Sequence, residues 1–389
     1  MSPVSALPER LLLGSGPSPV PERVLRALGA PTIGHLDPAF GELMDEVAAG
    51  LREVFGTDNR VAIPVSGTGS AGMEAMVANL VRPGDRVVCG VHGLFGERMA
   101  DELARHGADV VRVEAEWGRA LDGEALAAAV KAGGTAALFV VHAETSTGVA
   151  QPLDGLADAC HEAGALFLID CVTSLAGHPL ALDSSGVDAA FSGTQKCLNA
   201  PPGLAPFTAN ARALERVEDG RVGSWYFDLS LVLAYWRDAD GSKPARAYHH
   251  TAPINLIYAL AEALAIVREE GLEARWARHA TAHAALRASL GVLGLERVAP
   301  EGEQLHSLLA VRVPEGVAEA EIRMPLLTED GIEISGGLGP LAGKVWRIGV
   351  MGEGARPEPQ ERLVAALARR LGHAPDDALA ALADGWRSP

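Results

Sequence analysis

The chain has 389 residues, which is too long for one ordinary hydrophobic core and predicts two domains. Hydrophobic residues make up 48% of it and charged residues 21%, as in folded globular proteins, so intrinsic disorder is excluded. The formal net charge of −17 argues against partners that select basic surfaces. We therefore expect no nucleic acid and no anionic membrane as a partner.

The cysteines and the N-terminal sequence predict a cytoplasmic protein. Four cysteines occur, without C-x-x-C spacing or a dense disulfide framework, and this favours a reducing compartment. Residues 1–9 lack the basic and apolar regions of a signal peptide. No apolar run approaches the roughly 18 residues that span a bilayer.

Residues 60–210 repeat a strand-then-helix pattern. Apolar runs predict strands at 87–89, 110–113, 137–141, 166–169 and 187–191. Helical spacing between the runs predicts helices, and Leu153, Leu156, Ala157 and Cys160 form one such apolar stripe. Alternation of this kind predicts a mostly parallel sheet covered by helices, that is, an α/β fold.

After residue 250 the pattern predicts a smaller α/β domain. Its expected elements are helices at 254–270 and 272–290, a strand at 308–313, a helix at 319–327, a strand at 345–348 and a helix at 360–371. Residues 373–389 fit either a final amphipathic helix or a loose tail. We expect a large domain at 20–255, and a small C-terminal domain at 256–389 that includes the N-terminal segment 1–19.

Polar clusters follow three apolar strands directly. Val140 and Val141 lead into His142-Ala-Glu144-Thr145-Ser146, Ile169 leads into Asp170, and Phe191 leads into Ser192-Gly-Thr194-Gln195-Lys196. Ligands of open parallel sheets bind beyond the carboxyl ends of the strands. An acid and an amine at one sheet edge therefore predict a site there.

A glycine-rich run, Ser66-Gly67-Thr68-Gly69-Ser70-Ala71-Gly72, lies between an apolar segment and a helical pattern. A loop that opens a helix exposes backbone N–H groups and a positive helix end, which together bind phosphate. Gly67, Gly69 and Gly72 also satisfy G-x-G-x-x-G, the dinucleotide-binding fingerprint, which makes a nicotinamide-dependent oxidoreductase the alternative. That alternative needs an acidic residue at the end of the next strand. The strand ends instead in Cys89-Gly90-Val91-His92.

Five segments together resemble the class V aminotransferases, and within them the alanine–glyoxylate and serine–glyoxylate (serine–pyruvate) transaminases. The segments occur in the family's order, and the resemblance extends from about residue 10 to about residue 370; they are 64–74, 142–152, 167–177, 192–206 and 248–253. This resemblance implies the aspartate-aminotransferase-like fold (fold type I) and the cofactor pyridoxal 5'-phosphate.

The resemblance implies that Lys196 carries pyridoxal phosphate as a Schiff base. A lysine amine freed beside a cationic ring has a lowered pKa, which suits proton transfer at the substrate Cα near neutral pH. Asp170 resembles the partner of the pyridine nitrogen, where a carboxylate keeps the ring electron-withdrawing. Both residues are the expected catalytic groups.

Further residues match the family's cofactor site. Phe95 matches an aromatic residue that stacks on the ring, although a core phenylalanine is an alternative interpretation. Thr145 matches a hydroxyl residue near the ring oxygen, with Ser146 as the alternative. The family's phosphate site is matched by Thr68, Gly69, Ser70 and Gln195.

The segment Tyr248-His249-His250-Thr251 matches one that reaches the cofactor phosphate of a neighbouring subunit. Tyr248 and Thr251 therefore imply a homodimer with shared active sites. His249 and His250 are not expected to bind a metal, because adjacent residues of an extended segment point in opposite directions and no third ligand is suitably spaced.

Arg347 resembles the arginine that binds the substrate carboxylate, a role that suits a planar guanidinium. Strand alternation alone does not decide which way Arg347 faces. Gly16 lies in the family's N-terminal substrate loop, which usually reads Gly-Pro-Gly-Pro-Ser followed by Asn or Thr. Here the loop reads Gly14-Ser15-Gly16-Pro17-Ser18-Pro19, so the preferred amino donor is not implied by the resemblance.

We expect a transaminase that moves an amino group from alanine or serine to glyoxylate or pyruvate by a ping-pong mechanism. A specialised amine donor is the alternative within the family. A related cysteine desulfurase is disfavoured because no cysteine follows Cys197. A non-catalytic binding protein would have no need for Lys196, Asp170 and Arg347 together.

Overall fold

A computed structural model describes residues 7–218, 222–236 and 246–387. Part of the N-terminal stretch considered for a signal peptide (residues 1–6) and the end of the predicted tail (388–389) lie outside the described residues. No helix in the described part combines the length and apolar character needed to cross a bilayer.

The strands, in chain order, are β1 (Leu11–Leu12), β2 (Val61–Ser66), β3 (Arg86–Val91), β4 (Asp109–Glu114), β5 (Thr135–Val141), β6 (Ala143–Glu144), β7 (Val149–Ala150), β8 (Leu166–Asp170), β9 (Ala189–Phe191), β10 (Leu204–Ala209), β11 (Leu308–Arg312), β12 (Ile332–Glu333), β13 (Ser335–Gly336) and β14 (Val345–Gly349).

The helices are α1 (Glu22–Leu28), α2 (Pro38–Phe55), α3 (Gly69–Leu80), α4 (Leu94–Arg105), α5 (Gly123–Lys131), α6 (Leu156–Glu162), α7 (Ala211–Glu218), α8 (Leu229–Tyr235), α9 (Ile254–Glu270), α10 (Leu272–Val292), α11 (Glu319–Thr328), α12 (Pro357–Arg370) and α13 (Asp376–Arg387).

The main sheet has seven strands in the order β2-β10-β9-β8-β5-β3-β4. Only β10 runs antiparallel to its neighbours β2 and β9, so the predicted mostly parallel α/β sheet is confirmed. Because β2, β3, β5, β8 and β9 share one direction, their carboxyl ends lie at the same edge. The apolar strands and the helices packed on them form one large hydrophobic core.

A second core surrounds the antiparallel sheet β11-β14-β13. Trp346 and Ile348 of β14 lie in this core, and so do residues of α10, α12 and α13. The N-terminal segment joins it through β1, which pairs in parallel with β12. The long helix α9 instead packs in the first core through Ile257, Leu260 and Leu264.

Two boundaries differ from the sequence pattern. The strand predicted from residue 187 begins at Ala189, because the Val187 N–H donates to the Leu182 carbonyl and closes a turn instead. Helix α6 begins at Leu156, which leaves Leu153 of the predicted apolar stripe outside the helix. The alternatives for the C-terminal residues are resolved as the helix α13, which buries Ala378 and Leu382.

Candidate active site

The predicted polar residues meet at the carboxyl edge of the main sheet. Asp170, the last residue of β8, pairs with Val141 of β5 on one side and with Phe191 of β9 on the other. The polar runs that follow β5 and β9 therefore begin beside Asp170. The polar clusters thus meet at the carboxyl ends of the strands, as the sequence predicted.

One cavity of about 220 Å³ at this edge brings together seven of the predicted site residues. They are Thr68, Gly69, Ser70, Phe95, Asp170, Gln195 and Lys196, and the remaining lining residues are Met73, Arg98, Val172 and Phe191. A larger cavity of about 770 Å³ lies elsewhere and contains none of the predicted site residues.

The N-terminus of α3 opens into the 220 Å³ cavity. Thr68 is the N-cap residue, yet its side chain makes no capping hydrogen bond, so the first N–H groups of the helix stay available to an anion. The positive end of the helix dipole adds to this attraction. Gln195 Oε1 is buried nearby without a hydrogen-bond partner among the described residues. This oxygen can accept a hydrogen bond, while the NH2 group of the same amide can donate one to an anion.

Lys196 is 8% exposed and is not a surface lysine. Burial lowers the pKa of its amine to about 8, and the charge of Arg347 lowers it too, while Cys197 and Asp170 act in the opposite direction. The amine donates to the carbonyl oxygen of Ser15. The N-terminal segment is also held over this loop by Ser18, whose N–H donates to the Gln195 carbonyl at 2.9 Å.

Asp170 is 2% exposed, and its Oδ1 accepts a hydrogen bond of 2.8 Å from the Val172 N–H. Burial raises the pKa of its carboxyl to about 7. A cationic group placed in the cavity would lower that pKa again, because an adjacent positive charge favours the carboxylate. The arrangement therefore suits a ligand with a protonated ring nitrogen.

Glu144 was part of the predicted polar run, but the sequence assigned it no role. Its buried carboxylate accepts hydrogen bonds from the Phe95 N–H (3.1 Å), the Gly96 N–H (3.3 Å), the Ser146 N–H (3.0 Å) and the Ser146 hydroxyl (2.5 Å). These bonds hold the first turn of α4 against the loop after β5. Glu144 thus positions Phe95 in the cavity.

Arg98 was not predicted from the sequence. Its Cζ lies 4.9 Å from the centre of the Phe95 ring, and its Nη1 lies 3.2 Å from Ser70 Oγ. Arg98 and Lys196 are the cationic side chains among the described residues that line this cavity. The spacing of three residues between Phe95 and Arg98 on α4 could have indicated a shared helix face.

Arg347 reaches this region from the second core. It is 6% exposed, its Nε donates to the Gly336 carbonyl at 2.8 Å, and its Nη1 donates to the Thr145 carbonyl at 3.1 Å. Since Trp346 and Ile348 face the second core, Arg347 faces the loop after β5, which the sequence alone left open. Arg347 lines an adjacent cavity of about 380 Å³ rather than the one at Lys196.

Thr145 and Ser146 do not line the 220 Å³ cavity. Thr145 Oγ1 lies 2.8 Å from Thr173 Oγ1, and Ser146 Oγ is engaged by Glu144. Gly16 lies directly beside the lysine, where a Cβ atom on it would be 2.5 Å from Lys196 Nζ. A side chain at position 16 would therefore displace the amine.

Tyr248 and Thr251 lie outside the cavity and are exposed, with Tyr248 62% accessible. The rings of His249 and His250 are bonded to each other through their Nδ1 atoms at 2.8 Å, and His250 Nε2 lies 2.6 Å from Ser66 Oγ. In the described parts of the chain, no three His, Cys, Asp or Glu residues are grouped so that they could hold a metal ion.

Comparisons with known proteins identify the family. Residues 11–344 match the family described as Aminotransferase class-V. The chain is 38% identical over 371 residues to the (S)-ureidoglycine–glyoxylate transaminase of Bacillus subtilis (strain 168), covering 90% of this chain and 88% of that protein. It is 40% identical over 369 residues to the alanine–glyoxylate aminotransferase of Oryctolagus cuniculus, covering 94% and 93%. The crystal structure of the alanine–glyoxylate aminotransferase from Nostoc sp. is 46% identical, with a TM-score of 0.92 over 95% of this chain and 97% of that one.

The architecture is the aspartate-aminotransferase-like fold, fold type I, as predicted. Within that fold, the chain belongs to the class V aminotransferase family. The family confirms the predicted enzyme class, a transaminase, and implies pyridoxal phosphate as the cofactor. Membership of this family also rules out the interpretation of the Gly67–Gly72 loop as part of a nicotinamide-dependent oxidoreductase.

Proposed function

We propose that this protein transfers an amino group from a small amino acid, alanine or serine, to glyoxylate or pyruvate by a ping-pong mechanism. The observation that carries the proposal is the cavity that places buried Lys196 and Asp170 beside the uncapped N-terminus of α3. The similar proteins from Bacillus subtilis and Oryctolagus cuniculus carry names that specify glyoxylate, which supports this acceptor.

The residues of the cavity fit pyridoxal 5'-phosphate. The first N–H groups of α3, the Ser70 hydroxyl and the amide NH2 group of Gln195 would hold the phosphate, because each can donate a hydrogen bond to its oxygens. Arg98 adds a positive charge at Ser70. Phe95 would stack on the ring, and Asp170 would bind its nitrogen. To contact the ring oxygen, the Thr145 hydroxyl would have to turn away from Thr173, to which it is now hydrogen-bonded.

When bound, pyridoxal phosphate supplies an electron-withdrawing ring that stabilises negative charge at the substrate Cα. Lys196 Nζ accepts the proton from the donor Cα in the first half-reaction and returns a proton to the acceptor Cα in the second. Its pKa of about 8 leaves part of the amine unprotonated near neutral pH. The Ser15–Ser18 segment covers this amine and limits access of water.

Arg347 would bind the carboxylate shared by donor and acceptor. Burial lowers the pKa of its guanidinium to about 10, and the side chain is held by the Gly336 and Thr145 carbonyls. A guanidinium oriented in this way is prepared for a bidentate contact. One predicted carboxylate-binding arginine favours small monocarboxylates over dicarboxylates.

The exposed aromatic residues support a homodimer with shared active sites. Trp225 is 64% and Tyr248 62% accessible, and Leu36, the chain neighbour of His35, is 63% accessible. The ring centres of Trp225 and His249 are 4.4 Å apart, and those of Tyr248 and His35 are 5.3 Å apart, so the exposed groups lie near one another on the surface. Exposed apolar patches of this kind mark association surfaces. A second copy would bring Tyr248 and Thr251 to its partner's phosphate site.

The proposal also includes two domains, a large one at 20–255, onto whose core helix α9 packs, and a small one at 256–389 with residues 1–19. It includes a cytoplasmic location as well. All four cysteines are free and buried, which supports a reducing compartment.

Substitution of Lys196 by alanine tests the function. The purified wild type should show the visible absorbance of bound cofactor and transfer amino groups from alanine or serine to glyoxylate. Lys196→Ala should lose both that absorbance band and turnover, whereas Lys131→Ala, an exposed lysine on α5, should keep them. A wild type that stays colourless after cofactor addition would refute the proposal.

A further inference from the structure

Two serines connect the N-terminal segment to the second sheet. The Ser15 N–H donates to Ser335 Oγ at 2.9 Å, and Ser15 Oγ lies 3.1 Å from the same atom. The loop that the resemblance implies has proline at position 15, and proline has no N–H to donate. A chain with that loop could not make the backbone hydrogen bond to Ser335 seen here.

The serine pair lies between the predicted amine and the predicted carboxylate site. The Ser15 carbonyl accepts a hydrogen bond from Lys196 Nζ. Ser335 is the direct antiparallel partner of Arg347, so the two side chains share one face of the sheet. Ser335 and Arg347 also line the same cavity of about 380 Å³. An amino donor with its amino group at Lys196 and its carboxylate at Arg347 would therefore lie beside the two serines.

The Ser335 hydroxyl retains an unused hydrogen. Its oxygen accepts from both the N–H and the hydroxyl of Ser15, and no described residue accepts its own hydrogen. Glu333 lines the same cavity and adds a carboxylate, and Arg323 also lines it, with its guanidinium already paired with Glu319. The cavity next to Arg347 is therefore polar and can donate and accept hydrogen bonds.

We propose that Ser15 and Ser335 determine specificity by selecting an amino donor whose side chain carries a hydrogen-bonding group, such as a hydroxyl, over alanine. This inference rests on the proposed transaminase function and names its donor class. A hydroxyl in the donor gives the Ser335 hydrogen an acceptor, whereas a methyl group leaves that hydrogen unpaired when the site closes. Sites built to hydrogen-bond a substrate hydroxyl reject the analogue that lacks it.

Two non-reacting probes isolate this contact. α-Methylserine and 2-aminoisobutyrate both lack a Cα hydrogen, so neither can complete transfer, and they differ by one hydroxyl group. Binding of each to the cofactor-loaded enzyme is followed by the change in visible absorbance. The wild type should bind α-methylserine more tightly.

Ser335→Ala should reduce the preference for α-methylserine by about 3- to 10-fold, the value of one hydrogen bond between neutral groups. Ser15→Ala keeps the backbone N–H but removes the second hydroxyl, and it should reduce the preference in the same direction. Ser184→Ala, whose exposed hydroxyl bonds only the Ala181 carbonyl, should leave the preference unchanged.

The result that overturns the inference is an enzyme with normal cofactor absorbance and turnover that binds both probes equally. An unchanged preference in both serine variants would overturn it as well. Failure of the proposed function would look different, because the wild type would then bind no cofactor or transfer no amino group from any donor, and both proposals would fall.

Discussion

Asp170 is expected to make the cofactor-free protein less stable, so that its replacement by asparagine stabilises the apoenzyme. The carboxyl is 2% exposed, and burial raises its pKa from 3.8 to about 7. Above pH 3.8 the unfolded chain ionises first, so folding loses stability as the pH rises, and the loss is complete above about pH 7. A neutral asparagine avoids this loss.

The magnitude follows from the two pKa values. The difference between 3.8 and about 7 corresponds to about 4 kcal/mol at 1.36 kcal/mol per pH unit. Asparagine can keep the bond from the Val172 N–H through its oxygen, but its buried amide hydrogens lack partners, at a cost of about 1–3 kcal/mol. We expect Asp170→Asn apoenzyme to be about 1–3 kcal/mol more stable than wild type at pH 8.

Urea unfolding of the two apoenzymes at equal protein concentration, from pH 4 to pH 8, measures this difference. The advantage of the variant should shrink as the pH falls, and near pH 4 the wild type should be the more stable protein, because only the cost of the asparagine amide hydrogens then remains. Asp188→Asn is the contrasting variant and should destabilise at pH 8, because the Asp188 carboxylate is paired with Arg212 at 2.9 Å. A variant less stable than wild type at pH 8, or a pH-independent difference, would refute the reasoning. With cofactor bound, the wild type should be more stable than Asp170→Asn, since asparagine cannot supply a negative charge for the ring nitrogen.

Two further substitutions test the groups around the cavity. Arg347→Lys should raise the KM for the amino donor about 10- to 100-fold, because one bidentate charged contact is lost, while the cofactor absorbance stays. The control is Arg312→Lys, an exposed position on the neighbouring strand β11, which should leave the KM unchanged. Loss of cofactor in Arg347→Lys would contradict the assignment of Arg347 to the substrate carboxylate. Glu144→Gln should weaken cofactor binding about 10-fold in titrations of the apoenzyme, because an amide nitrogen cannot accept from the N–H groups or hydroxyl now bound to that oxygen. An unchanged affinity would show that Phe95 is positioned by other contacts.

The grouping of the proposed cofactor-binding residues was largely predictable from the sequence. Asp170 ends an apolar strand, and Lys196 and the Gly67–Gly72 loop come after two others. Parallel strands in one sheet bring their carboxyl ends to one edge, so position along the chain was enough to place these residues together. The bounds of α9 followed in the same way from its apolar run and Gly271.

The surroundings of the proposed substrate-binding residue Arg347 depend on contacts that no local pattern encodes. Arg347 donates to the Thr145 carbonyl across 202 positions of the chain, and Ser15 meets Ser335 across 320. The direction of Arg347 follows from the burial of Trp346 in the second core, and the helix at the C-terminus follows from packing on α10. Periodicity and strand order determine which residues reach an edge of the sheet. Only the packing of distant segments decides which side chains then face one another across it.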